Sequence, residues 1–149
     1  MPELTNGTWI VVADSEKALL MRNLTDHADP NFEVIAREEQ PEVPENADRP
    51  GRRADVGPGQ MSAMEGTDWH ELARDRFAKD LADILYRYAH KGAYDRLVIA
   101  AAPQLLGLLR DELHPEVQSK VVAEIDKNLA NHTVRDLERL IKADLDARA

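Results

Sequence analysis

The first part of the chain contains three short segments of large apolar side chains separated by polar breaks. Residues 8–13, 18–24 and 32–38 are rich in β-branched, aromatic and aliphatic residues, and the breaks lie at 14–17 and 26–31. Segments of this length and composition predict strands. Because the breaks are short, consecutive strands should pair antiparallel, which predicts a three-stranded meander.

Later in the chain, apolar residues recur with the period of an α-helix, and this pattern predicts the longest helix. Asp68 suits the N-cap of this helix, Glu71 completes a capping box, and Gly92 suits the position just after the last turn. Apolar side chains at helical spacing form one stripe, which must face a core. The stripe consists of Leu72, Phe77, Leu81, Ile84, Leu85 and Tyr88.

The second half of the chain predicts a buried strand and two more helices. Residues 95–102 contain a continuous apolar run, which is typical of a strand covered on both faces at the centre of a sheet. Pro103 suits the first turn of a helix over residues 104–113. Gly107 inside that helix costs about 1 kcal/mol relative to alanine, which indicates a close packing contact. Thr133 can cap a final helix with the stripe Val134, Leu137, Ile141 and Leu145.

The segment between these two helices fits two structures. A helix is indicated by apolar residues spaced four apart, namely Val117, Val121, Ile125 and Leu129. A strand is indicated by the alternating positions Val121, Ala123 and Ile125. Periodicity alone leaves both open. If residues 120–126 form a strand, the order is β-β-β-α-β-α-β-α, which predicts a single α/β domain over residues 1–149 with a mixed sheet and helices on its faces. That order resembles the ribonuclease-H-like architecture.

Residues 39–66, between the meander and the long helix, differ in composition from the rest of the chain. These 28 residues hold four prolines and four glycines, and almost no large apolar side chains. Loops of this length are usually functional or disordered. A binding loop and a solvated linker are therefore both open interpretations.

Composition excludes several classes of protein and site. The chain has no cysteine, which excludes disulfides, thiol catalysis and cysteine-based zinc sites. No apolar run approaches the roughly 18–20 residues that span a bilayer, and no export leader opens the sequence, so a cytoplasmic protein is predicted. The net charge of −9 argues against a broad nucleic-acid surface but leaves room for a local basic patch.

Acidic residues at strand ends are the candidates for metal chemistry. In a ribonuclease-H-like sheet, Asp14 and Asp126 follow predicted strands and could hold Mg²⁺ for a nuclease reaction. Asp14 suits a turn equally well, and that interpretation is favoured. The five histidines show no pairing with ligand geometry, so no metal and no cofactor are predicted.

The candidate binding residues all lie in the Pro/Gly-rich loop. Gly57, Gly59 and Gln60 form a small polar tip, and Arg49, Arg52 and Arg53 lie just upstream. Glycine allows backbone angles closed to other residues, and a glutamine can position a water molecule by hydrogen bonding without acting as an acid or base. The arginines could contact phosphates.

Several motifs in order are similar to the bacterial host attachment protein family. They are WIVVADSEKA at 9–18, DRPGR at 48–52, SAME at 62–65, TDWH at 67–70, RFA at 76–78, LLG at 105–107 and VVAEIDK at 121–127. That family is in turn similar to the middle domain of archaeal and eukaryotic peptide-chain release factors and of Pelota. The resemblance implies the same fold, and it implies that residues 120–126 are the last strand.

The resemblance also gives the loop tip a possible role. In the release factors a Gly-Gly-Gln tip just before the long helix promotes peptidyl-tRNA hydrolysis. The matching place here reads Gly57, Pro58, Gly59, Gln60, so the last two residues match and Pro58 replaces the first tip glycine. Proline fixes φ at about −65° and removes an N–H, which changes the backbone of the tip.

These observations predict a non-enzymatic binding or regulatory protein. Its predicted partners are the ribosome or tRNA, reached through residues 49–60, or another protein, and no membrane. One alternative is a peptidyl-tRNA or ester hydrolase that uses Gln60 to position water. A further alternative is a Mg²⁺-dependent nuclease that uses Asp14 and Asp126.

Overall fold

The computed structural model describes residues 3–39 and 63–148, with side chains from residue 70 onward in the second range. Nine elements follow one another in these ranges. They are β1 (Trp9–Ala13), β2 (Lys17–Asn23), β3 (Phe32–Glu39), α1 (Ala63–His90), β4 (Leu97–Ala101), α2 (Pro103–Glu112), α3 (Pro115–Gln118), β5 (Val121–Ile125) and α4 (Val134–Arg148).

The five strands form one mixed sheet in the order β3-β2-β1-β4-β5. The first three strands pair antiparallel, as the short polar breaks predict, and β4 and β5 run parallel to β1. The predicted fold class, an α/β domain with the order β-β-β-α-β-α-β-α, is confirmed. Within residues 3–39 and 63–148, the structure adds the four-residue helix α3 to that order.

The sheet has a hydrophobic core on each face. On one face α1 and α2 pack over the side chains of alternate strand positions, including Trp9, Val11 and Ile99. On the other face α4 packs over Ile10, Val98 and their neighbours. Every residue of β1 and β4 is therefore buried, which explains why β4 is continuously apolar in sequence.

The long helix α1 begins earlier than its sequence predicts. It starts at Ala63, so the predicted N-cap Asp68 lies inside the helix and the prediction of its start is wrong. Helix propensity does not explain this start, because Gly66 and Thr67, which directly precede Asp68, are poor helix formers. The predicted loop of residues 39–66 is shorter by the same turn.

The C-terminal end of α1 follows its prediction. Gly92 has a φ of +76°, its N–H donates to the carbonyl of Ala89 at 2.9 Å, and the N–H of Ala93 donates to the carbonyl of Tyr88 at 2.9 Å. These two bonds form a Schellman motif, which requires a residue with positive φ at the position of Gly92.

The apolar stripe of α1 is buried only in its later turns. Phe77, Leu81 and Leu85 are buried, whereas Leu72 is 58% exposed. Leu72 was predicted to face the core, and that prediction is wrong. The helix has 28 residues, about 42 Å of length at 1.5 Å per residue, and is much longer than the five-residue strands beneath it. Its early turns therefore extend past the sheet.

The ambiguous segment forms a short helix followed by a strand. Val117 is buried in α3, and the Nδ1 atom of His114 accepts the N–H of Glu116 at 3.0 Å at the start of that helix. The strand β5 begins at Val121, as the family resemblance implies. Thr133 also caps α4 as predicted, since its Oγ1 accepts the N–H of Asp136 at 3.1 Å.

Gly107 in α2 does not mark a close packing contact. A Cβ atom at this position would meet no heavy atom within 4 Å, so the predicted contact is wrong. The glycine therefore costs helix stability with no compensating approach of another element.

We expect Gly107→Ala to raise the free energy of unfolding by about 1 kcal/mol, which raises Tm by roughly 2–4 °C for a chain of this size. Gly92→Ala is the matched control. It should lower stability, because alanine at φ +76° is strained. Thermal unfolding of both variants checks the prediction, and a destabilised Gly107→Ala protein would contradict it.

Candidate functional site

The predicted binding residues Arg49, Arg52, Arg53, Gly57, Gly59 and Gln60 lie outside the described residues. The structure describes the two elements that this segment joins. Strand β3 ends at Glu39, and helix α1 begins at Ala63. Residues 40–62 therefore connect an outer strand of the sheet to the helix that covers one of its faces.

The surface where β3 meets α1 is acidic. A groove of about 280 Å³ lies there, lined by Glu38, Glu39, Phe77, Asp80, Leu81, Asp83, Ile84 and Arg87. Four of these side chains are carboxylates, and the one cation, Arg87, lies 3.5 Å from Asp83. Such a surface repels phosphate. A nucleic-acid contact beside it needs cations from another part of the chain.

The two carboxylates considered for Mg²⁺ are not brought together. The Oδ1 atom of Asp14 accepts the N–H groups of Glu16 and Lys17 at 2.8 and 2.9 Å, as a turn residue does. Asp126 follows β5, and β4 lies between β1 and β5. Two strand spacings, about 10 Å, therefore separate the strand ends that carry them. Within residues 3–39 and 63–148, no group of three metal-ligating side chains is close enough to hold an ion.

A second cavity, of about 490 Å³, lies along the outer side of β5. It is lined by Leu106, Arg110, Val121, Val122, Ala123, Glu124, Asp126 and Arg148. The Nη2 atom of Arg110 lies 2.7 Å from Oε1 of Glu124, and the Nε atom of Arg148 lies 3.2 Å from Oδ2 of Asp144. Both cations thus already have carboxylate partners, which reduces the attraction of this cavity for an anion. Sequence patterns give no signal for the first pair, because Arg110 and Glu124 belong to different elements, whereas Asp144 and Arg148 have the i,i+4 spacing of one helix.

Ion pairs hold the carboxylates of α4 in their charged form. Arg139 and its hydrogen bond lower the pKa of Asp136, and Lys142 and His27 lower that of Asp146. Burial alone would raise the pKa of Asp144, but its hydrogen bonds with Lys127 and Arg148 outweigh that effect and lower it. These groups form a charged outer surface on α4 whose members neutralise one another.

One buried titratable group lies beneath α1. Burial, followed by the negative charge of Glu116, raises the pKa of Tyr94 above its usual range. The neutral phenol donates to the carbonyl of Leu85 at 2.8 Å. This contact fixes the loop after α1 against the helix, so Tyr94 has a structural explanation rather than a catalytic one.

Among the helices that the structure describes, none has both the length and the apolar character needed to cross a membrane.

Comparison with known proteins gives similarities of three kinds, to a family, to a protein sequence and to a solved structure. A family model described as "Bacterial archaeo-eukaryotic release factor family 12" matches residues 7–141. The uncharacterized protein RP470 of Rickettsia prowazekii (strain Madrid E) is 38% identical over 55 residues, a match covering 37% of each chain. A crystal structure of the archaeal translation termination factor aRF1 aligns with a TM-score of 0.48 at 12% identity, covering 94% of this chain and 39% of that chain. This chain thus spans well under two thirds of either protein.

Proposed function

The chain belongs to the bacterial archaeo-eukaryotic release factor family 12, and from that membership we propose that it is a non-enzymatic binding protein of the translation apparatus. Its partner is the ribosome or ribosome-bound tRNA, and it acts in the cytoplasm. The observation that carries the proposal is the family match, which extends from before β1 into α4 and so includes nearly all of the fold.

The charges of the chain favour residues 49–60 as the contact. Three arginines, Arg49, Arg52 and Arg53, fall within five residues of a chain whose net charge is −9. The groove where the end of β3 meets the later turns of α1 is acidic. The proposed contact to phosphate is therefore the arginine cluster, followed in sequence by Gly57, Gly59 and Gln60.

The similarity to host attachment proteins fits this proposal as an indirect effect. A protein that binds ribosomes changes the synthesis of other proteins, among them those that contact a host. In this proposal the chain itself is not an adhesin.

Co-sedimentation with purified ribosomes tests the proposed function. The wild-type protein should sediment with ribosomes at low salt, and a larger fraction of Arg49→Ala/Arg52→Ala/Arg53→Ala should remain in the supernatant. Absence of wild-type binding even at low salt would contradict the proposal. The relationship to release factors would then be one of fold, and the search would move to protein partners.

A second candidate function rests on the tip residues Gly59 and Gln60, which match the end of the release-factor tip. In a hydrolase, Gln60 would position the attacking water, and Gln60→Ala would abolish release of the peptide from peptidyl-tRNA while leaving ribosome binding intact. A binding protein would show no release activity before or after that substitution. Pro58, which removes a backbone N–H from the tip, favours the binding protein.

A further inference from the structure

Helix α4 reaches from one edge of the sheet to the other. Near its start, Oε2 of Glu138 accepts the N–H of Phe32, the first residue of β3, at 2.8 Å. At its end, Nη2 of Arg148 donates to the carbonyl of Glu124 in β5 at 2.7 Å. Between these contacts Leu137, Ile141 and Leu145 are buried against the sheet. In the part of the chain that the structure describes, β3 and β5 are the two outer strands.

The N–H of Phe32 points away from the sheet. The N–H of Leu24 donates to the carbonyl of Asn31 at 2.8 Å, so that pair is hydrogen-bonded between β2 and β3. In an antiparallel ladder the next pair, Asn23 opposite Phe32, is not hydrogen-bonded, and its outer residue turns its backbone groups outward. Glu138 therefore occupies a donor that would otherwise be open at this edge.

The carbonyl of Glu124 is open in the same way at the other edge. The N–H of Leu97 donates to the carbonyl of Lys120 at 2.8 Å, so alternate residues of β4 from Leu97 onward bond to β5. Ile99 is one of them and lies opposite Glu124, which leaves the backbone groups of Glu124 facing outward. Arg148 occupies that carbonyl.

The two contacts are chemically matched to the groups they cover. A carboxylate covers an outward N–H, and a guanidinium covers an outward carbonyl. The unpaired backbone groups of an edge strand can pair with a strand of another chain. Proteins that remain monomeric block such edges. We infer that α4 is an edge lock, which prevents a second copy of this chain from adding its β5 strand to the β5 edge, or its β3 strand to the β3 edge.

The two edges differ in how much they need α4 to prevent association with a second copy. Strand β3 carries charged residues along its length, namely Glu33, Arg37, Glu38 and Glu39, and these disfavour pairing by themselves. Strand β5 begins with Val121, Val122 and Ala123, which are only partly buried. Apolar edge strands associate most readily. Loss of Arg148 should therefore matter more than loss of Glu138.

The test compares Arg148→Ala with Arg139→Ala. Both remove one positive charge from the exposed surface of α4. Among the residues that the structure describes, the Arg139 guanidinium pairs with Asp136, at 2.6 Å, rather than with a strand edge. In sedimentation velocity over a wide concentration range, Arg148→Ala should raise the self-association constant by about three- to tenfold, the range expected for freeing one backbone hydrogen bond. Arg139→Ala should leave it unchanged. Arg148→Lys, which keeps a donor, should fall between them.

Amide hydrogen exchange identifies the surface that associates. In Arg148→Ala, the outward amide of Glu124 should become protected as the protein concentration rises. At the other edge, the amide of Phe32 should exchange faster in Glu138→Ala than in Glu138→Gln, since the amide oxygen of glutamine still accepts. Equal association of Arg148→Ala and Arg139→Ala would overturn the inference. Association without protection of Glu124 would overturn it as well.

Discussion

Asn23→Ala should lower the free energy of unfolding by about 3 kcal/mol, because it leaves several buried backbone groups without partners. Asn23 is fully buried at the end of β2. Its Nδ2 donates to the carbonyls of Leu4 and Asp26 at 2.8 and 3.2 Å, and its Oδ1 accepts the N–H of Asn31 at 2.9 Å. One side chain thus connects the segment before β1 to both ends of the loop between β2 and β3.

Two further variants separate hydrogen bonding from general packing. Asn23→Asp keeps the acceptor but places a second oxygen against two carbonyls, so it should be about as destabilising as alanine. Asn6→Ala is the control, since Nδ2 of Asn6 also donates to a carbonyl, that of Leu24 at 2.8 Å, but in an exposed position. It should cost about 0.5 kcal/mol or less. Denaturant unfolding checks all three, and an Asn23→Ala protein as stable as Asn6→Ala would contradict the account.

Trp9→Ala should lower the free energy of unfolding by about 3–5 kcal/mol, the usual effect of removing a large buried aromatic side chain. Trp9 is 3% exposed at the start of β1. Its ring lies 4.9 Å from that of Tyr88 in α1 and 5.0 Å from that of Tyr94 in the following loop. The indole therefore joins the central strand to the helix that covers it.

Trp9→Phe should lose less, about 1–2 kcal/mol, because a smaller aromatic ring still contacts the two tyrosines. Leu72→Ala is the control, since Leu72 belongs to α1, the helix that Trp9 contacts through Tyr88. Its side chain is 58% exposed, so its replacement should change stability by about 0.5 kcal/mol or less. Denaturant unfolding measures all three variants. If Leu72→Ala proved as destabilising as Trp9→Ala, Leu72 would have to be packed against the core, contrary to the structure.

Much of the fold could be predicted because strands, breaks and helical stripes leave local signals. The strands β1 to β4 and the capping of α4 by Thr133 follow from composition and spacing alone. The prediction of strand β5 needed the family resemblance. Val117 and Val121 belong to different elements, but their spacing is the same as that of two residues on one helix face. The predicted helix start at Asp68 was wrong because a residue that suits an N-cap does not by itself fix where a helix begins, and here the helix continues upstream to Ala63.

Other features depend on tertiary structure and leave no local signal. Leu72 shares the stripe of Phe77, but the helix is longer than the strands beneath it and Leu72 is exposed. Gly107 suggested a close contact, and the structure shows open space beside it. The roles of Asn23 and Arg148 come from partners in other elements, which spacing along the chain does not reveal. The proposed binding residues 49–60 remain a prediction from sequence.

The salt dependence of ribosome binding tests the proposed function most directly. Each phosphate contact contributes a slope of roughly 0.7–0.9 to the fall of log K with log salt, so replacing Arg49, Arg52 and Arg53 by alanine should reduce the slope by roughly 2–3. The control replaces three exposed arginines, Arg87, Arg135 and Arg139, and changes the net charge equally. The account predicts weaker, less salt-sensitive binding only for the first variant. Equal slopes for the wild type and both triple variants would contradict a phosphate-binding role for residues 49–53.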